Sequence, residues 1–315
     1  MEYKILGRTG IRVSRLCFGS LGISPLQSHL PIEEGTDVIL EAIRAGVNFI
    51  DTAEFYNNYS YIKKALKFTK EDIVIVSKSY AYTYEDMRSS VEKARKELDR
   101  DVIDIFMLHE QESRLTLKGH REALKYLIEA KEKGIIRAVG VSTHAIEVVE
   151  AAATMSEIDV IHPIINIKGL GIKDGNIHQL EKAIEKAYKN CKGIYGMKCL
   201  GGGNLIGIRE KAFKYILDFP YLHSVAVGMK SKDEVKANCL IFEGKSVPEE
   251  LTDKLDSQKR RLLIEDWCEG CGRCVQHCKF KALSIVDGKS KVDPDRCILC
   301  GYCAGYCPEF CIKIV

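Results

Sequence analysis

The chain has 315 residues, 46% hydrophobic and 29% charged, a composition that suits one large domain plus a small one and excludes disorder. Its 47 Lys and Arg against 44 Asp and Glu leave a net charge of +3 with no long block of one sign, so neither nucleic acid nor a membrane surface is an expected partner. No apolar run approaches the roughly 20 residues that span a bilayer, and the opening MEYKILGRTG lacks the apolar stretch of a secretion signal, so the expected setting is the cytoplasm. In that reducing setting thirteen cysteines point to metal rather than disulfides, and nine of them lie between Cys268 and Cys311.

From residue 1 to about 245, short β-rich apolar runs alternate with amphipathic helical stretches, the pattern of βα units around a parallel sheet. Strands are predicted at 16–19, 49–51, 73–78, 103–108, 136–142, 160–165, 193–198 and 224–228. The helix after the fourth strand shows the signal. Leu124, Leu127, Ile128 and Lys131 follow three-to-four spacing, and Gly134 stands where a C-terminal cap belongs. Eight such units close an α/β (β/α)8 TIM barrel. An open doubly wound sheet would instead carry a Gly-x-Gly-x-x-Gly turn after its first strand, where this chain reads CFGSLGIS. Residues 246–264 are charged and helical in pattern and read as a helical linker. A small α+β domain, in which nine of the thirteen cysteines fall, is expected from 265 to 315.

Chemistry in such a barrel sits at the carboxyl ends of the strands, and four capable residues fall there. Asp51 ends the second strand in NFIDTAEFY, Tyr56 follows in the loop, Lys78 ends the third in IVIVSK, and His109 ends the fourth in IDIFMLHE. Together they suit proton donation to a carbonyl oxygen. A free tyrosine, with a pKa of about 10, is a poor acid at neutral pH and needs a cation nearby, which Lys78 supplies. Asp51 holds the lysine by a charge-assisted hydrogen bond, while His109 orients the carbonyl or shares the proton. Singly, Asp51 also reads as a helix cap and Tyr56 as a surface aromatic. Lys78 and His109, each behind a run of apolar residues, are costly to bury without use.

The run from Asp51 to Tyr56, the strand-end Lys78 and His109, and the opening KILGRTGIRVSRLCFGS resemble the aldo-keto reductases. The resemblance implies an eight-stranded barrel that reduces aldehydes or ketones, or oxidises alcohols, with NADPH or NADH. It implies that cofactor contacts come from Gly19 and Ser20, from Ser142 in VGVSTH and from Asn166 in HPIINI, with His162 in place of the family's glutamine. After the seventh strand it implies Met197, Lys198, Leu200, Gly202 and Gly203 in MKCLGGGNL, whose amides suit a pyrophosphate. After the eighth, VGMKSKDEVKAN resembles the family's adenosine-binding segment, with Gly228, Met229, Ser231, Glu234 and Asn238 in matching places. Ser231 followed by Asp233 and Glu234 is also an ordinary helix start. Lys230 or Lys232 would meet a 2′-phosphate, which favours NADPH, and the alternative is that both are solvated surface lysines. Met197 stands where many members stack a tyrosine on the nicotinamide, which leaves room for a flavin, and Asn57 replaces a glycine.

Cysteines 268, 271, 274 and 278 run as WCEGCGRCVQHC, and 297, 300, 303 and 307 as RCILCGYCAGYCP, the spacing of a bacterial two-cluster ferredoxin. Three closely spaced cysteines wrap one 4Fe-4S cubane while the fourth ligates the other cluster. One cluster is therefore expected on Cys268, Cys271, Cys274 and Cys307, the second on Cys297, Cys300, Cys303 and Cys278. Structural zinc has no need of the third cysteine. Cys311, Cys17, Cys191, Cys199 and Cys239 read as packing. A nicotinamide gives two electrons at once and a cluster takes one. The clusters are therefore expected to serve an external carrier such as ferredoxin. The alternative is an electron-transfer module whose barrel holds flavin or acts as a docking scaffold.

Overall fold

A computed structural model describes the whole chain, Met1 to Val315. Strands β1 (Tyr3–Ile5) and β2 (Arg12–Ser14) form an antiparallel hairpin. Leu6, Ile11 and Val13 from this region plug the barrel interior, packing with Phe49, Val76, Ile105, Met107 and Tyr195. The barrel itself closes from β3 (Leu16–Gly19), β4 (Phe49–Asp51), β5 (Val74–Ser79), β6 (Ile103–Gln111), β7 (Ile136–Thr143), β8 (Val160–Pro163), β9 (Gly193–Gly196) and β10 (Ser224–Gly228). Each strand pairs with the next, and β10 returns to β3.

Helices α1 (Ile32–Arg44), α2 (Tyr59–Leu66), α3 (Tyr84–Leu98), α4 (Arg114–Gly119), α5 (Arg121–Glu132), α6 (Ile146–Thr154), α7 (Ile177–Lys189), α8 (Arg209–Asp218) and α9 (Lys232–Phe242) follow the strands in turn, α4 and α5 sharing one crossover. Their apolar stripes, among them Ile39, Leu127, Val149, Ile184 and Phe213, form the larger core against the outside of the sheet. As the spacing predicted, α5 ends just before Gly134, which takes φ 71.

The strands after α6 and α7 stop short of the predicted ends. Pro163, which has no N–H for the ladder, closes β8, and beyond β9 the chain turns at Lys198, φ 60. β6 runs further than predicted, past a register shift after Leu108, with Glu110 at φ 44. The predicted linker helix covers only α10 (Glu249–Asp256). The apolar triplet Leu262–Ile264 is a strand instead, β11, because it has a partner to pair with.

That partner is β14 (Ile312–Ile314), antiparallel to β11. Between them lie the short helix α11 (Arg273–Gln276) and a hairpin of β12 (Leu283–Val286) and β13 (Lys289–Val292). The core of this unit is small: Leu262, Leu283, Ala304, Ile312, Ile314 and three cysteines. It docks on the loop after β9. Ile314 N–H donates to Gly202 O at 3.0 Å, and Asn204 Nδ2 donates to Ile312 O at 3.0 Å. A Cβ on Gly203, at φ 86, would lie 1.9 Å from Ile314 O, so no side chain fits there. The C-terminal unit thereby covers the mouth of the barrel.

Candidate active site and cluster cages

In the parallel register Asp51 of β4 faces Val76 of β5. Lys78 lies two residues further on and so shares a face with Asp51. Both are buried, at 4% and 1% exposure. Lys78 Nζ lies 2.8 Å from Asp51 Oδ1, donates to Oδ2 at 2.9 Å, and donates to Thr52 O at 2.8 Å. Tyr195 Oη donates to Asp51 Oδ1 at 2.8 Å. The Tyr195 ring stacks on His162 at 3.8 Å, whose Nε2 is 3.7 Å from the same oxygen. Burial pushes the Asp51 carboxyl up, but Lys78, His162 and the two hydrogen bonds outweigh it and hold the group below its ordinary range.

Tyr56 ends a single 3-10 turn, Glu54–Tyr56, and Asn57 follows in the left-handed region at φ 50. Asparagine tolerates that conformation better than most residues, which accounts for its standing in a glycine's place. Lys78 Nζ is 5.2 Å from the Tyr56 ring centroid, and the His109 ring meets Tyr56 edge-on at 5.8 Å. Burial, then Asp51, Glu110 and Tyr80, push Tyr56 well above the ordinary phenol value. His109 stacks on Tyr80 at 4.3 Å, and Tyr80 Oη donates to Glu110 Oε2 at 2.5 Å. Burial lowers His109 to about 3, so its imidazole is neutral, and its Nδ1 has no partner.

Tyr56, Lys78 and His109 line a cavity of about 570 Å³. Its opposite side comes from the C-terminal unit, through Glu265, Trp267, Glu269, Glu309, Phe310 and Lys313. None of these stands out as a site residue in the sequence.

An adjoining cleft touches Asp51 and Tyr56 and is lined by Gly19, Met197, Lys198, Leu200, Gly202, Gly203, Gly228, Met229 and Glu234. Lys230 and Arg260 line it too. The N–H groups of Gly202 and Gly203 have no protein partner. Free amides beside three cations fit a phosphorylated cofactor.

Five other expected contacts do not line this cleft. Ser20 Oγ donates to Asp51 O at 2.8 Å and accepts from Asn58 Nδ2 at 3.0 Å. Ser142 lines the larger cavity and accepts the Glu110 N–H at 2.8 Å. The Asn166 amide is engaged by Lys168 and Leu170 within its own loop. Ser231 caps α9 by accepting the Glu234 N–H at 3.2 Å, and Asn238 is buried on that helix. Lys232 pairs with Asp37 on the surface at 2.8 Å, leaving Lys230 and Arg260 at the cleft. The sequence alone did not single out Tyr195, although it lies two residues before Met197, or Asn58, whose amide ties Thr52 to Ser20.

The eight cysteines line two separate hollows. Cys268, Cys271, Cys274 and Cys307 surround the first, and Cys278, Cys297, Cys300 and Cys303 the second. Backbone N–H groups aim at their sulfurs: Ser290 at Cys268 (3.4 Å), Ala282 at Cys278 (3.3 Å) and Cys311 at Cys307 (3.3 Å). Four motif sulfurs at each hollow, with amide donors, fit cubane clusters. Cys311 is buried as expected, yet its Sγ lies 3.3 Å from Cys307 Sγ at the edge of the first hollow. Cys17, Cys199 and Cys239 are packed, whereas Cys191 is exposed at a turn with φ 59.

No helix is long and apolar enough to cross a membrane. Residues 15–212 match the Aldo/keto reductase family, and residues 261–308 match a 4Fe-4S dicluster domain. L-galactose dehydrogenase of Arabidopsis thaliana is 23% identical over 287 residues, covering 76% of this chain and 87% of its own. Aldo-keto reductase YhdN of Bacillus subtilis is 27% identical over 183 residues, 53% of this chain and 54% of its own. Among solved structures, the thermostable aldo-keto reductase Tm1743 superposes with a TM-score of 0.63 at 26% identity, covering 82% of this chain and 99% of that one. Aldo-keto reductase AKR11C1 from Bacillus halodurans gives 0.66 at 20% identity over 81% and 95%, a likeness of fold alone. The chain is an oxidoreductase that belongs to the aldo/keto reductase family and carries a 4Fe-4S domain at its C-terminal end.

Proposed function

We propose that this protein is a nicotinamide-dependent carbonyl reductase with Tyr56 as proton donor, and that its eight cage cysteines hold two 4Fe-4S clusters serving an external one-electron carrier. The observation behind this reading is that Tyr56, Lys78 and His109 line one cavity, with Asp51 and Tyr56 at an adjoining cleft that offers cations and free amides. When bound, the nicotinamide supplies a hydride to the carbonyl carbon. Tyr56 gives its phenolic proton to the carbonyl oxygen as charge gathers there. The Lys78 ammonium, aimed by Asp51, stabilises the phenolate left behind. Neutral His109 donates an N–H to the same oxygen and fixes its direction. The C-terminal unit keeps water out. Lys230 and Arg260 favour NADPH over NADH by offering charge to a 2′-phosphate.

Tyr56→Phe tests the reading. The substitution lowers kcat by about 10²–10⁴ fold while nucleotide affinity and iron content stay at wild-type values. Unchanged kcat refutes the proton-donor role. Protein that binds no nicotinamide and purifies with flavin favours the electron-transfer module instead.

A further inference from the structure

The first cysteine cage and the substrate cavity share a wall, since Glu269 and Glu309 line both. The second cage shares no lining residue with that cavity. It is rimmed by Ile298 and Tyr302, which are 61% and 75% exposed. The two cages therefore differ in what they face: one the substrate, the other the surroundings.

Lys313 lines the substrate cavity from β14, at 3% exposure. Its ammonium sits 3.3 Å above the Phe310 ring and donates to Phe310 O. Phe310 N–H donates to Cys307 O at 3.2 Å, and the Cys311 N–H reaches Cys307 Sγ. Lys313 thus packs on the segment that clasps a ligand of the first cage. No carboxylate forms an ion pair with it. Burial, and then Lys198, push the ammonium well below its ordinary value, while Glu265, Glu110 and the Cys307 sulfur act the other way.

A buried cation without a close counter-charge is costly. A cubane with four thiolates is an anion that gains one further negative charge on reduction. A cation held beside it in low dielectric stabilises the reduced form more than the oxidised form and raises the potential. The lysine at the second cage, Lys279, is exposed, where water screens its charge.

We propose that Lys313 makes the first cluster the higher-potential member of the pair, so that an electron entering at the outward-facing second cluster comes to rest beside the substrate cavity. One electron passes from an external low-potential one-electron carrier to the second cluster and on to the first, and no bond forms or breaks. This rests on the cluster assignment proposed above.

The test is a redox titration of anaerobically purified holoprotein followed by electron paramagnetic resonance, with iron and sulfide measured on the same samples. Wild type shows two potentials. Lys313→Met lowers the higher one and leaves the other in place, and Lys313→Arg keeps it near wild type. Should the Met variant load poorly, Lys313→Gln, which keeps a donor for Phe310 O, carries the same expectation. The proposal is overturned if neither potential moves, if both move alike, or if the lower one is the one that falls. Wild-type iron too low for two clusters sinks the cluster assignment itself, whereas loaded protein with unmoved potentials sinks only the role of Lys313.

Discussion

Replacing Lys78 by Met keeps most of the side-chain stem and removes the charge that faces Asp51. The carboxylate is left 4% exposed, with the Tyr195 hydroxyl as its remaining close donor. Removing one partner of a buried pair costs about 3–5 kcal/mol. For a barrel of this size that corresponds to a fall in melting temperature of roughly 10 °C. The loss depends on pH in a defined direction. In wild type the folded Asp51 pKa lies below its unfolded value, so the group contributes stability above about pH 3.9 that disappears as pH falls further. In the Met variant, burial is unopposed by Lys78 and the folded pKa rises above the unfolded one. Its destabilisation is then absent in acid and grows as pH climbs from about 3.9 to the raised pKa, by about 1.4 kcal/mol for each pH unit crossed. The gap between the two proteins is therefore widest at neutral pH and narrows toward about pH 4. Urea unfolding followed by circular dichroism at about pH 7 and about pH 5 measures it. Adding Asp51→Asn to the Met variant removes the stranded charge and restores part of the neutral-pH stability. The reasoning fails if Lys78→Met lies within about 1 kcal/mol of wild type at neutral pH with a parallel pH profile.

Three buried histidines give a second pH signature. Burial lowers His109 and His144 to about 3 and His162 to about 4. The unfolded chain therefore binds more protons below its pKa of about 6.5, and stability falls as pH drops from there by up to about 1.4 kcal/mol per pH unit for each group. A His162→Gln variant should show a shallower acid slope in denaturant titrations, and an unchanged slope argues against a buried neutral imidazole. Gly203→Ala should loosen the docked β14, because its Cβ cannot share space with Ile314 O. We expect a loss of about 1–3 kcal/mol and faster proteolysis within residues 246–315, and wild-type resistance would contradict the docking. Among the cysteines, Cys278→Ser and Cys300→Ser should remove the same cluster signal, and Cys307→Ser and Cys271→Ser the other. Pairing by sequence run instead would show that the fourth ligands do not cross over.

Features set by local spacing were legible in the sequence. Eight strands could be placed from apolar runs bounded by polar ones, and Asp51, Lys78 and His109 from their positions at the ends of those runs. The two hollows divide the eight cysteines as spacing predicted, because cluster geometry leaves few ways to wrap a cubane. What depended on distant segments meeting was not legible. Tyr195 reads as one more strand aromatic until the barrel closes and its hydroxyl, reaching into the interior from β9, meets Asp51 of β4. Leu262–Ile264 resembles the end of a helix until β14 supplies an edge. Ser20 and Asn166 look available for a cofactor, yet their polar atoms are engaged by Asn58 and Leu170, partners that no motif signals. Lys313 reads as an ordinary polar residue on a short strand until the two domains close around it.

The shared wall also bears on how such a protein ages in air. Glu269, Glu309 and Phe310 are held in place by the loops that carry Cys268 and Cys307, so on the proposed assignment the outline of the substrate cavity depends on an oxygen-labile centre. Oxidative loss of the first cluster would unpin that side of the cavity while leaving Tyr56, Lys78 and His109 untouched. Aerobic preparations would then show a wider, less selective pocket, and a substrate screen run on them would describe the damaged enzyme.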